Sequence, residues 1–71
     1  MKVLNNLKKI RWEKNISQNT LAKLSGVDKG TISRVENGLE IPSQITILKL
    51  SRGLKMEANE IFHLDWRKHN V

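Results

Sequence analysis

Residues 17–38 read SQNTLAKLSGVDKGTISRVENG. Ser17 offers a hydroxyl that can cap a helix, and Leu21, Ala22 and Leu24 follow as its inward positions. Gly26 then stands where the chain must turn sharply without a side chain in the way. Asp28 is a second capping residue, and Ile32 and Val35 share one face of the helix it starts. Asn37 and Gly38 stop that helix. Two short helices joined by a glycine-containing turn of three or four residues form a helix-turn-helix, placed here at residues 17–37.

Working outward, Val3, Leu4, Leu7 and Ile10 recur at helical spacing and predict a first helix over residues 3–14. Asn15 can adopt the left-handed conformation that ends it. Beyond the second helix of the motif, a loop at residues 39–43 holds the only proline, Pro42. Ser43 can cap a fourth helix over about residues 44–54, with Ile45, Leu48, Leu50 and Leu54 expected in the core. A last helix over about residues 58–64 returns Ile61 and Phe62 to the bundle, and a charged tail occupies 65–71. The expected fold is all-α, a five-helix bundle forming one domain over residues 1–71.

The 71 residues leave room for one thin core and for no deep enzymatic cleft. Thirteen Lys and Arg against seven Asp and Glu give a formal charge of +6, which disposes the surface toward a polyanion. With no cysteine, disulfides and thiolate metal sites are excluded, and a reducing compartment is compatible. No stretch approaches the roughly 18 apolar residues of a membrane span, so a soluble, unprocessed protein with no membrane partner is expected.

The ordered set Ile10-Arg11, Ile16-Ser17-Gln18, Leu21-Ala22, Gly26-Val27, Thr31-Ile32-Ser33, Glu36-Asn37-Gly38, Pro42-Ser43, Leu48, Leu50, Leu54 and Ile61-Phe62 resembles the lambdoid phage repressor and Cro family, also called Xre-type. The resemblance covers about residues 4–64. It implies a lambda-repressor-like domain, a double-stranded DNA operator as partner, and a cytoplasmic regulator of bacterial, phage or mobile-element origin. It also implies that Gln18 and Asn37 touch the DNA backbone. Arg11 and Glu36 resemble a partly buried ion pair of the family, and Arg11 is a further candidate for a phosphate. With Ile32 and Val35 turned inward, Lys29, Thr31, Ser33 and Arg34 remain as base-reading candidates.

Arg34 can pair with guanine O6 and N7 or clamp a phosphate, and Lys29 can do either. Gly30 departs from the family, which usually carries a long polar side chain there, so direct readout should be sparse. Asp28 reads as a cap ahead of a contact to cytosine N4. Lys55 stands where the family commonly has glycine. Lys2, Lys8, Lys9 and Lys14 are read as steering charge.

His63 and His69, six apart, do not share a helical face, and no carboxylate completes a ligand set, so no metal or other cofactor is expected. The serines lack a neighbouring base, and no catalysis is expected. Core packing is the preferred reading of Trp12, with partial exposure against the tail or a partner as its rival. One short helix reads few base pairs, so a homodimer on a two-fold operator is expected, joined through helix five, the loop before it and the tail, including Phe62, Leu64 and Trp66. The alternative function is an antitoxin that binds a toxin and autoregulates its operon; no further protein partner is legible.

Overall fold

The computed structural model describes the backbone of residues 3–64 and the side chains of residues 5–63. Expectations for the tail, Trp66 and His69, and for the side chains of Val3, Leu4 and Leu64, lie outside the described residues. Five helices form in chain order: α1 (Leu7–Glu13), α2 (Gln18–Ser25), α3 (Lys29–Glu36), α4 (Gln44–Leu54) and α5 (Ala58–Ile61). Two three-residue strands, β1 (Val3–Asn5) and β2 (Phe62–Leu64), flank them as an antiparallel ribbon with Leu4 opposite His63. The architecture is the expected all-α bundle, tied at its ends by this ribbon.

Three helices start with the same device. Ser17, Asp28 and Ser43 accept the backbone N–H of Thr20, Thr31 and Thr46, three residues on, and each cap side chain also hydrogen-bonds that threonine's hydroxyl. Each such cap contributes about 1 kcal/mol and fixes where its helix begins. Gly26 and Gly38, at φ 79° and 73°, supply the left-handed turns that close α2 and α3.

The first helix is shorter than its apolar spacing suggested, starting at Leu7 instead of residue 3. Asn5 accepts the Leu7 N–H at 3.1 Å through Oδ1 and donates from Nδ2 to the Val35 carbonyl at 3.0 Å. These bonds hold the entering chain extended, where it pairs with residues that sequence spacing had assigned to the last helix. That helix ends at Ile61, because Phe62 is extended. Val3-Leu4 and Phe62 suit either periodicity, and the pairing of distant segments decided between them.

The core comprises Leu7, Ile10, Leu21, Val27, Ile32, Val35, Leu50, Leu54, Ile61 and Phe62, with Ile16, Ala22, Ile47 and Met56 against it. Leu24, Ile45 and Leu48, expected inside, are exposed. On α4 the inward positions are 47, 50 and 54, and at 100° per residue Ile45 and Leu48 point away from Ile47 and Leu50 respectively. Trp12 is also exposed, against the preferred reading of core packing: Leu7, Ile10 and Arg11 take the inward face of α1. Its ring lies 5.4 Å from Lys8 Nζ, one turn back, a cation–π pair on the helix surface.

Lys55 closes α4 at φ 55° and ψ 44°, the left-handed geometry that glycine adopts without a Cβ penalty. Lys55→Gly is therefore expected to stabilise the fold by about 0.5–1 kcal/mol, read as a raised midpoint of thermal unfolding. An unchanged or lowered midpoint would show that the left-handed lysine is unstrained.

Candidate nucleic-acid interface

The outward side of α3 is defined by what is pinned inward. Ile32 and Val35 are fully packed, and the Asp28 cap sets the helix start. Lys29 and Arg34 are then exposed, and Thr31 and Ser33 half-buried beside them. Thr31 donates its hydroxyl to Asp28 Oδ1 at 2.7 Å and its N–H to Oδ2 at 3.0 Å. Those two bonds, hydroxyl first, hold the Asp28 carboxyl below its usual range, with the Arg34 charge adding to the effect. A charged, satisfied cap is the role the structure displays for Asp28.

Arg34 is not loose. Its Nε donates to Glu40 Oε1 at 2.8 Å and its Nη2 to Thr31 Oγ1 at 3.2 Å. The hydrogen bond to Glu40 raises the Arg34 pKa, so its charge is secure. Glu40 reaches this position because Gly38 reverses the chain: the N–H of Gly38 bonds the Val35 carbonyl at 3.1 Å and that of Leu39 the Arg34 carbonyl at 2.8 Å. Gly30 gains a physical reason here. A Cβ there would lie 3.2 Å from Asp28 Oδ2 and 3.3 Å from Arg34 Nη1, so its absence gives the guanidinium room across the first turn. The Arg34–Glu40 pair is exposed, and such pairs are worth about 0–1 kcal/mol. Arg34 can exchange it for a base-edge pair worth about 1–3 kcal/mol.

Behind α3 lies a buried charge cluster. Arg11 Nε and Nη2 donate to Glu36 Oε2 and Oε1 at 2.7 and 3.1 Å, and Nη1 donates to the Ile16 carbonyl at 3.0 Å. The side chains are 9% and 1% exposed, and the Glu36 hydrogen bond raises the Arg11 pKa against the opposing effect of burial. Gln18 joins the cluster, its Nε2 donating to Glu36 Oε1 at 3.0 Å. Arg11 thus faces inward, and Gln18 is held at the first position of α2 beside amides that the helix geometry leaves unpaired. Asn37 caps α3, its Nδ2 donating to the Ser33 carbonyl at 2.9 Å.

The ends of α2 and α3 therefore share a brace, Glu36, that spacing on a single helix could not reveal. Glu40 was likewise missed, since residues 39–43 read only as a connection. Its one signal was a carboxylate two residues beyond a helix-stopping glycine.

Residues 7–61 match the family model described as Helix-turn-helix. The chain belongs to the helix-turn-helix family of DNA-binding transcriptional regulators. It is similar to two proteins of Bacillus subtilis. One is the HTH-type transcriptional repressor RghR, 43% identical over 51 residues, which are 70% of this chain and 38% of that protein. The other is the uncharacterized HTH-type transcriptional regulator YgzD, 30% identical over 61 residues, covering 86% and 92% of the two chains. Thus the chain spans less than half the length of the first relative and nearly all of the second. Among solved structures, the restriction-modification controller protein C.AhdI of Aeromonas hydrophila superposes with a TM-score of 0.74 at 42% identity, covering 78% of this chain and 83% of that one. Members of this Xre-type, Cro-like family are DNA-binding regulators and not enzymes. Among the described residues of this regulator, no helix is long and apolar enough to cross a membrane, and no group of three His, Asp or Glu is placed to hold a metal ion.

Proposed function

We propose that this regulator is a sequence-specific repressor that places α3 in the major groove of double-stranded DNA and binds its operator as a homodimer. The observation that carries the reading is the division of α3: Ile32 and Val35 are locked in the core while Lys29, Thr31, Ser33 and Arg34 border solvent, on a chain of formal charge +6. Arg34 reads a guanine, and Lys29, Thr31 and Ser33 supply the neighbouring contacts. Gln18, the first amides of α2 and Asn37 hold the DNA backbone, and Arg11 serves that contact through Glu36, which fixes Gln18. Repression, as opposed to activation, is supported by the similarity to a named repressor.

Two substitutions separate these roles. Arg34→Ala should reduce discrimination at one or two base pairs by about 1–3 kcal/mol each, whereas Gln18→Ala should weaken binding to every duplex nearly alike. Affinities for a panel of single-base-pair variants of the operator measure both. An Arg34→Ala protein with unchanged base preference would remove Arg34 from the reading role.

A further inference from the structure

A chain of hydrogen bonds runs along the exposed side of α3. Asp28 Oδ1 accepts the Thr31 hydroxyl at 2.7 Å, Thr31 Oγ1 in turn accepts Arg34 Nη2 at 3.2 Å, and Arg34 Nε donates to Glu40 Oε1 at 2.8 Å. The Thr31 proton is committed to Asp28, so toward Arg34 its oxygen can only accept, and each link fixes the direction of the next. We propose that Glu40 is a positioning residue for base recognition: it stays on Arg34 in the DNA complex, aims the Nη1/Nη2 edge at a guanine, and keeps the guanidinium from straying to phosphates. The proposal rests on Arg34 being a guanine reader and adds a residue beyond the two helices of the motif.

Donor geometry selects the edge. A guanidinium offers a bidentate acceptor either Nε with one Nη or the two Nη together. Glu40 closes the first by holding Nε. The second keeps Nη1, which has no hydrogen-bond partner among the described residues, and Nη2, which gives Thr31 one of its two protons. Arg34 can therefore reach guanine O6 and N7 without first giving up Glu40, and its side chain, 52% exposed, is open to a base while held. Gly30 serves the same edge, since a Cβ there would stand 3.3 Å from Nη1 and crowd the one nitrogen that no protein group holds.

Free energy separates this role from simple competition with DNA. A carboxylate that holds the arginine only in the free protein is given up on every duplex alike, and discriminates nothing. One that is kept in the cognate complex is abandoned only when Arg34 swings to a phosphate, so it weakens the wrong contact and spares the right one. For an exposed pair that difference reaches about fivefold. The charge of Glu40 works in the same direction, because it repels a phosphate oxygen more than a neutral base edge. Anchoring at Nε and Nη2 also restricts, before DNA arrives, a side chain that is otherwise costly to order.

The test compares wild type, Arg34→Ala, Glu40→Gln and the double variant on the duplex enriched by selection on the wild type, its single-base-pair variants and a scrambled duplex. Glu40→Gln should bind the scrambled duplex more tightly and lower the cognate-to-scrambled affinity ratio about two- to fivefold, with the loss confined to the base pairs whose preference Arg34→Ala removes. On the scrambled duplex Arg34 then gains a phosphate, so the dependence of log affinity on log salt should steepen by about 0.9. Loss of fold would instead weaken binding to every duplex. In the Arg34→Ala background the same substitution should leave the ratio unchanged, and any tightening that persists there is general repulsion between a carboxylate and DNA. An unchanged ratio in Glu40→Gln, a fall spread over all base pairs, or an equal fall in both backgrounds would overturn the proposal. Each leaves the guanine reader standing, provided Arg34→Ala still loses its base preference. An Arg34→Ala protein with unchanged preference, or no enriched duplex at all, would remove the reader itself and the role of Glu40 with it.

Discussion

Glu36→Ala is expected to lower stability by about 3–5 kcal/mol, enough to unfold a large part of a small domain whose total is at the lower end of about 5–15 kcal/mol. The carboxylate holds Arg11 at 2.7 and 3.1 Å and Gln18 at 3.0 Å from a position only 1% exposed. Without it, a buried guanidinium keeps one carbonyl partner, that of Ile16, and no counter-charge. The charge, not the lost contact, sets the magnitude, so Arg11→Met/Glu36→Leu should recover most of the loss, since an apolar pair of similar volume needs no desolvation. Urea unfolding of the two variants beside the wild type measures both effects. A loss below about 1 kcal/mol for Glu36→Ala would place the pair among solvated surface bridges and remove the brace between α2 and α3. The same variant should lose DNA binding to all sequences together, because what fails is the fold of the helix-turn-helix as a whole.

The second large effect has the opposite sign from the one helix propensity gives. Replacing a glycine inside a helix by alanine usually stabilises by about 1 kcal/mol. Gly53 lies within α4, yet a Cβ there would sit 2.9 Å from both Cα and Cβ of Ser25 and 3.0 Å from its backbone nitrogen. Ser25 cannot easily give way. It is buried at the end of α2, its Oγ donating to the Leu21 carbonyl at 2.7 Å and accepting the Val27 N–H at 3.2 Å. Gly53→Ala must therefore push α2 from α4, an overpacking cost of about 1–3 kcal/mol that outweighs the propensity gain. Ser25→Gly in that background should not restore the stability, because Ser25 Cα and N stay at 2.9 and 3.0 Å and both Oγ hydrogen bonds are lost. A Gly53→Ala protein more stable than wild type would mean the helices separate at no cost.

What was legible in the sequence was local chemistry. Ser17, Asp28 and Ser43 mark helix starts because a cap needs an oxygen at a fixed offset from a free N–H, and all three do so in the structure. Asn15 and Gly38 mark reversals through their tolerance of positive φ. The Arg11–Glu36 pair was readable only by resemblance, since its partners are 25 residues apart.

What escaped was decided by segments distant in sequence. Asn5 ends in a strand because it bonds Leu7 and Val35 together. Gly53 looks like a weak helix position until Ser25 is laid against it. Leucine and isoleucine at 24, 45 and 48 were assigned inward because apolar character favours burial, but it does not say which way a helix faces when more apolar residues exist than one face can hold. In the candidate interface, the outward set on α3 followed from Ile32 and Val35, whereas Glu40's hold on Arg34 and the room left by Gly30 required the chain reversal at Gly38.

Whether α3 reads base pairs in a two-fold operator, as proposed, is decided by selection from a random duplex pool at near-physiological salt, followed by salt titrations on the enriched and a scrambled site. A dimer reading through α3 should enrich a two-fold symmetric sequence with half-sites about one helical turn apart, bound more tightly than the scrambled duplex at every salt concentration. No enrichment, with equal and steeply salt-dependent binding to both duplexes, would contradict it and leave only electrostatic attachment of a basic chain.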